Sequence, residues 1–209
     1  HNDEPTTTLT EGSLGAMRQF IFGNDQMRVP SCALPLDTTA TAKWQTPAAS
    51  GLRITWLGHS TTLIELDGVR VLTDPMFSER ASPTSLAGPK RFHPPPVALA
   101  DLPKLDAVVI SHDHYDHMDM RSVQALATTG VRFFIGVGNG AHLETWGVPT
   151  AQIVEVEWGD RFELPGGVVI HSTPARHFSG RGIFNRNRSL WTSWALVGPK
   201  HRVFFSGDT

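Results

Sequence analysis

The segment Ala107-Val108-Val109-Ile110-Ser111-His112-Asp113-His114-Tyr115-Asp116-His117 is the most informative stretch of this chain. Its four apolar residues, Ala107–Ile110, predict a fully buried strand. The seven residues that follow hold three imidazoles and two carboxylates, a density of metal-binding side chains that core packing does not require. His112 and His114 are two residues apart, so in an extended segment their side chains point the same way. The stretch therefore predicts a strand that opens into a metal-binding loop.

The loop offers donors for two metal ions placed side by side. Zinc prefers about four ligands from imidazole, carboxylate or thiolate groups, and a catalytic site leaves one position to water. His112 and His114 can supply two nitrogens to a first ion, and Asp116 and His117 an oxygen and a nitrogen to a second. A solvated polar loop is the weaker alternative. The only cysteine, Cys32, excludes an internal disulfide and a thiolate-rich zinc site.

Neither set of ligands is complete, and two candidates follow predicted strands farther along the chain. His177 comes after Val168–Ser172, and Asp208 comes after Arg202–Phe205. A carboxylate between two ions can bridge them and hold them at the separation that a shared hydroxide requires. We therefore predict that His177 and Asp208 are metal ligands, the main alternatives being a structural histidine and a Gly-Asp turn.

Other polar residues are candidates for supporting roles. Asp74 lies at the end of the third predicted strand, in Leu72-Thr73-Asp74-Pro75. It is expected either to orient a ligand histidine, as carboxylates commonly do beside metals, or to form an Asp-Pro turn. His59 lies between two predicted strands and either lines the site or is structural. The remaining histidines show no partner pattern and are interpreted as structural: His93, His142, His171 and His201.

The pattern of apolar residues predicts a β-rich domain with few helices. Strands are expected at Leu52–Leu57, Thr61–Leu66, Val69–Thr73, Ala107–Ile110, Val131–Ile135, Ile153–Val156, Arg161–Leu164, Val168–Ser172, Trp191–Val197 and Arg202–Phe205, and helices at Met120–Ala127 and Ala141–Trp146. Asp67-Gly68 predicts a hairpin. The proline-rich residues 75–104 predict a long irregular excursion, and such loops are usually functional. Two sheets with helices outside are favoured over a doubly wound parallel sheet.

Composition limits the classes of function. The 209 residues are 40% apolar and 18% charged, as in ordinary globular proteins, and the net charge of -2 argues against a nucleic-acid partner. No stretch approaches the roughly 20 apolar residues of a membrane span, and no signal-peptide pattern is visible. The expected location is the cytoplasm or, as a peripheral protein, a membrane surface.

The chain divides into two parts that differ in the pattern of their apolar residues. Residues 1–50 are expected to form an extension with a short amphipathic helix around residues 14–21, and residues 51–209 to form the domain. The apolar stripe of that helix predicts packing on the domain. Membrane contact is the alternative.

The motifs together resemble those of a known family. His112-x-His114-x-Asp116-His117, then His177, then Gly207-Asp208-Thr209 is similar to the motif series of metallo-β-lactamase-fold hydrolases. Nearly the whole chain resembles one branch of this family, the N-acylphosphatidylethanolamine-hydrolysing phospholipases D and their bacterial relatives. The stretches that carry this likeness are Thr55-Trp56-Leu57-Gly58-His59-Ser60, Leu72-Thr73-Asp74-Pro75, Arg80-Ala81-Ser82-Pro83, Gly88-Pro89-Lys90-Arg91-Phe92 and Trp191-x-x-Trp194.

The resemblance implies an αββα sandwich with a two-zinc (Zn²⁺) site at one edge. It implies that the first zinc is bound by His112, His114, His177 and Asp208, and the second by Asp116, His117 and the bridging Asp208. In the family the last histidine of the second site lies well after the Gly-Asp-Thr motif, so no residue of this sequence is assigned to it. We therefore expect the sequence to be one piece of a longer protein, with the C-terminal part of the sandwich missing from this chain.

The resemblance also implies an activity. The leading hypothesis is a two-zinc phosphodiesterase of the phospholipase D type, which cleaves N-acylphosphatidylethanolamine-like lipids to a phosphatidic acid and an N-acylethanolamine, with Asp116 handling the proton. The alternatives are a two-zinc hydrolase of small lactones, esters or cyclic phosphodiesters, and a metal-binding module without turnover. The expected partners are a phospholipid or small ester substrate, and peripheral membrane contact and a homodimer are further hypotheses.

Overall fold

The structure is a computed structural model that describes residues 30–37, 39–84, 86, 88–182 and 185–209. Leu36–Thr209 form one compact unit. The amphipathic helix predicted around residues 14–21 lies outside the described residues, and the domain boundary after residue 50 stays a prediction.

The first sheet has six strands in chain order. They are β1 (Leu52–Gly58), β2 (Thr61–Leu66), β3 (Val69–Thr73), β4 (Ala107–Ile110), β5 (Phe133–Gly136) and β6 (Ile153–Val156). β1 to β3 are antiparallel, and β3 to β6 pair in parallel. Asp67 and Gly68 join β2 to β3 with φ of 48° and 94°, the positive values that a tight two-residue hairpin turn requires.

The second sheet has four antiparallel strands in the order β10-β9-β8-β7. They are β7 (Arg161–Leu164), β8 (Val168–Thr173), β9 (Ser193–Val197) and β10 (Arg202–Phe205). Buried side chains of both sheets, among them Val71, Val109, Ile170 and Trp194, form one apolar cluster between them. Burial of such side chains stabilises the sandwich by roughly 25 cal/mol per Å² of apolar surface. The prediction of two sheets is confirmed.

Helices cover the other face of the first sheet. Their bounds are Ala40–Lys43 (α1), Met120–Ala127 (α2) and Gly140–Thr145 (α3), with 3₁₀ turns at Leu99–Asp101, Thr150–Gln152 and Pro165–Gly167. Ala40, Leu126 and Leu143 bury against a second apolar cluster that includes Leu72 and Ile110 of the sheet. A helical layer on the outer face of the second sheet, expected from the αββα sandwich, is not among the described residues.

Five elements differ from their predicted bounds, and two of them, β1 and β8, differ only by ending one residue later, at Gly58 and Thr173. The strand predicted at Val131–Ile135 is β5, which begins at Phe133. The strand predicted at Trp191–Val197 is β9, which begins only at Ser193. The two preceding residues form hydrogen bonds outside the sheet: Trp191 Nε1 donates to the Ala175 carbonyl (2.9 Å), and Thr192 N donates to the Ser111 carbonyl (2.8 Å). Helix α3 begins and ends one residue earlier than predicted.

The proline-rich excursion is irregular in its described part and is tied to α2. Ser78 N and Oγ donate to the Asp119 carboxylate (3.2 and 2.9 Å), and Phe77 N donates to Ser122 Oγ (3.0 Å). Asp119 also caps α2 by accepting a hydrogen bond from Ser122 N. Within the described ranges, no helix has the length and apolar character needed to cross a bilayer.

Candidate metal centre

The predicted site residues come from the ends of four strands. β3 and β4 are parallel neighbours, so their carboxyl ends, which lead into Asp74 and the His112–His117 loop, meet at one edge of the first sheet. β8 leads to His177 and β10 to Asp208. The structure thus brings together side chains that are up to 134 positions apart in the sequence, and the two sheets converge on one place.

Three imidazoles form the first group of donors. His112 Nε2 lies 2.8 Å from His114 Nδ1, and His177 Nε2 lies 3.3 Å from the same nitrogen. Burial lowers the pKa of all three histidines, that of His112 to about 2. These imidazoles are therefore neutral near pH 7, which is the form that binds metals.

The hydrogen bonds of His112 define its tautomer. Ser111 Oγ donates to Asp74 Oδ2 (2.6 Å) and lies 2.8 Å from His112 Nδ1. Because the serine proton is used on Asp74, His112 Nδ1–H is the donor to Ser111 Oγ. The lone pair of His112 Nε2 then faces the other imidazoles, where the three nitrogens cannot all pair with one another. This donor set fits a cation.

His117 begins the second group. Its Nδ1–H donates to Asp74 Oδ2 (2.7 Å), which leaves Nε2 facing Asp208 Oδ1 at 3.2 Å and Asp116 Oδ2 at 3.7 Å. Burial alone would lower the pKa of His117, but its hydrogen bonds with Asp208 and Asp74 raise it to about 10. The same negative surroundings favour a metal ion at Nε2 in place of a proton.

Asp208 faces both groups of donors. Its Oδ1 is directed at His117 Nε2, and its Oδ2 lies 3.9 Å from His177 Nε2. The hydrogen bond from His117 is the largest cause that lowers the pKa of Asp208 to about 2, so the carboxylate is ionised at neutral pH. Gly207 allows this approach, since at its φ of 60° an added Cβ would stand 2.7 Å from Ser111 Cβ.

His59 is close to the second group. Its Nε2 lies 2.8 Å from Asp116 Oδ2, and it can share a cation with Asp116 and His117. The residue has a φ of 52°, a backbone conformation that is uncommon for residues other than glycine and asparagine. His59 also borders an open cavity of 290 Å³ with His117 and Asp208. The arrangement leaves room for a substrate beside the ligands.

The other histidines and Asp113 have different roles. His201 Nδ1 pairs with Asp67 Oδ1 (2.7 Å) at the turns between strands, and His171 lies within β8. Asp113, although within the motif, accepts hydrogen bonds from Gly180 N (2.7 Å) and Ser189 Oγ (3.3 Å). The metal-binding roles of His112, His114, Asp116, His117, His177 and Asp208 stay predictions that this geometry supports.

Asp74 is a target for testing the support of the ligands. The residue is fully buried and accepts hydrogen bonds from Ser111 N, Ser111 Oγ and His117 Nδ1 at 2.6 to 2.7 Å. We expect Asp74→Asn to weaken metal binding roughly 10–100-fold, the usual effect of losing a partner outside the ligand set. Zinc titration against a competing chelator measures the change. The exposed Asp101→Asn is the control, and equal affinity in both variants would contradict the role of Asp74.

Comparison with known proteins identifies the family of this chain. A family model described as "Beta-lactamase superfamily domain" matches residues 69–209. An uncharacterized protein of Mycobacterium tuberculosis is 55% identical over 162 residues, which cover 77% of this chain and 43% of that protein. N-acyl-phosphatidylethanolamine-hydrolyzing phospholipase D 1 of Caenorhabditis elegans is 41% identical over 168 residues, covering 77% of this chain and 47% of that protein. The chain therefore spans less than half the length of these two relatives.

A solved structure shows the same fold. Igni18, described as a metallo hydrolase from the archaeon Ignicoccus hospitalis, is 27% identical, with a TM-score of 0.53 over 76% of this chain and 61% of that chain. The resemblance of the motifs to metallo-β-lactamase-fold hydrolases, which rested on short segments, is thus confirmed over most of the described domain.

Proposed function

Because this chain belongs to the beta-lactamase superfamily and brings two groups of metal donors to one carboxylate, we propose that it acts in a two-metal hydrolase that cleaves a phosphodiester of a phospholipid. The observation that carries the proposal is the position of Asp208, whose two oxygens face His117 and His177. A carboxylate so placed would contact both ions of a two-metal hydrolytic centre.

The residues divide between two ions, with zinc as the proposed metal since imidazole ligands suit it. His112, His114, His177 and Asp208 would hold the first, and Asp116, His117 and Asp208 the second. When bound, such ions supply a water of lowered pKa and positive charge opposite the phosphoryl oxygens. Asp74 fixes the tautomer of His117 directly and that of His112 through Ser111, so that both present Nε2.

Asp116 is the proposed proton carrier. Burial would raise its pKa, but the hydrogen bond from His59 and the nearby charges of His117 and His59 together outweigh burial and hold the pKa well below the usual range of an aspartate. The carboxylate is therefore ionised at neutral pH. Hydrolysis joins a water oxygen to phosphorus and breaks the bond from phosphorus to the alcohol oxygen. The proton released by the water must reach that alcohol, and Asp116 pairs with His59, which lines the cavity beside the ligands.

The choice of a phospholipid rests on similarity and on the surroundings of the site. The Caenorhabditis elegans relative carries the name of a phospholipase D that hydrolyses N-acyl-phosphatidylethanolamine. The proline-rich excursion is tied to Asp119 just after the metal-binding loop, and we propose that it helps to form the lipid-accepting groove. Binding at a membrane surface follows from such a substrate.

The test compares substrates on the zinc-loaded, complete protein that contains this chain. Vesicles containing N-acylphosphatidylethanolamine should yield phosphatidic acid and an N-acylethanolamine, detected by mass spectrometry. Cleavage of a water-soluble diester or a lactone with none of the lipid would favour the alternative of small substrates. Two bound metals without turnover on any of them would favour a metal-binding module and contradict the proposal.

A further inference from the structure

The metal-binding loop is joined to the segment that carries His177 by hydrogen bonds that the catalytic proposal does not use. Asp113 is 1% exposed, and its two carboxylate oxygens accept hydrogen bonds from Gly180 N and Ser189 Oγ. This acidic residue of the motif therefore turns away from the ligands and binds the second segment, three residues after His177.

Arg181 closes the same contact from the other side. Its Nη1 donates to the carbonyl oxygens of Asp113 (2.7 Å) and Met118 (2.8 Å), which lie at the two ends of the loop. The guanidinium carbon lies 4.0 Å from the centre of the Tyr115 ring and 5.0 Å from that of Trp146. Tyr115 Oη donates in return to the Arg181 carbonyl (2.9 Å). One side chain thus contacts the beginning, middle and end of the loop.

The loop has little internal structure of its own to hold this shape. Between Asp113 and Met118 the backbone bonds are those from His117 N and Met118 N to the His114 carbonyl, at 3.1 and 2.8 Å. The guanidinium of Arg181 binds two carbonyls that are five residues apart, and it therefore fixes the distance between the ends of the loop. The directions of His114, Asp116 and His117 depend on that distance, because each lies between the two carbonyls.

We propose that Arg181 is a positioning residue of the metal centre, which holds the loop in the shape that directs its ligands at the ions. The proposal rests on the proposed function in that the site binds metal. It does not depend on the substrate. Arginine suits the task because its planar guanidinium stacks on aromatic rings while its N–H groups donate in fixed directions.

Arg181→Met tests this role, since it keeps an apolar stem between the rings and removes both hydrogen bonds to the loop. We expect the affinity for zinc, measured against a competing chelator on folded protein, to fall roughly 10–100-fold. The visible absorption of the cobalt-loaded variant should also change, because its ligands are displaced. Arg181→Lys should recover part of the affinity, as an ammonium can donate to both carbonyls.

The control is Arg188→Met, which removes the same charge from the same segment. The side chain of Arg188 is exposed and makes no hydrogen bond or ion pair with the described residues. A merely structural role would lower the stability of the metal-free protein and leave the affinity and cobalt spectrum of the folded protein unchanged. That result in Arg181→Met would overturn the proposal.

Two further measurements keep the test decisive. If Arg181→Met does not fold, Arg181→Lys takes its place in the test, because an ammonium lacks the fixed directions of the guanidinium N–H groups. An affinity for zinc in Arg181→Lys equal to that of the wild type would then overturn the proposal. A wild-type chain that binds no metal would instead overturn the proposed function. If the wild type and Arg181→Met bind metal equally well, the proposed function stands and only the role of Arg181 is rejected.

Discussion

Replacing His112 with alanine is expected to remove metal retention and hydrolysis together. His112 is 1% exposed, and its ring centre lies 4.2, 4.4 and 4.5 Å from those of His117, His114 and His177. It belongs to two of the three ligand groups found among the described residues. Its loss therefore opens the middle of the site, and no neighbouring donor can take its place.

The expected size of this effect follows from what a metal contributes. Losing roughly 4 kcal/mol of charge stabilisation lowers the rate about 10³-fold. Metal content by mass spectrometry and phosphodiester hydrolysis by product release measure the two losses. His171→Ala is the control, because His171 lies in β8 opposite Arg161 and Ala195, away from the site. A His112→Ala protein with full activity and full metal content would contradict the assignment.

Replacing Asp208 with asparagine is expected to separate the two ions. The amide keeps the size of the side chain but loses the charge that faces both His117 Nε2 and His177 Nε2. The first group keeps three imidazoles, whereas the second keeps only Asp116 and His117 of its proposed ligands. We therefore expect the metal content to fall from two ions to one, and hydrolysis to fall by about 10²-fold or more, since each 1.36 kcal/mol of lost stabilisation costs a factor of ten.

The control for Asp208→Asn is Glu163→Gln, the same change on an exposed strand residue of the second sheet. Metal content and hydrolysis are measured as for His112. Retention of two tightly bound ions by Asp208→Asn would show that the carboxylate does not bridge them.

The sequence predicted the fold well where the signal was local. The buried runs Ala107–Ile110 and Thr61–Leu66 became strands with the predicted bounds, because apolar runs and alternation reflect burial directly. The start of β9 was wrong because it depends on bonds from Trp191 and Thr192 to distant backbone atoms. Such bonds leave no periodic pattern.

The candidate site was predicted in the same uneven way. His112, His114, Asp116 and His117 lie in one short motif, so their proximity could be predicted from spacing alone. Asp74 was a candidate because a carboxylate at a strand end commonly supports a metal ligand. Ser111 and Arg181 were missed, since their roles depend on which segments lie against the loop. The hydroxyl of Ser111 links Asp74 to His112, and Arg181 binds backbone carbonyls, which carry no sequence signature.

The most direct test of the account is the number of metal ions bound per chain. The complete wild-type protein that contains this chain, purified with zinc and freed of loosely bound metal by gel filtration, is analysed by inductively coupled plasma mass spectrometry. We predict two zinc ions per chain, because two groups of donors share the carboxylate of Asp208. A chain that retains one ion or none would contradict the two-metal centre on which the proposed hydrolysis rests.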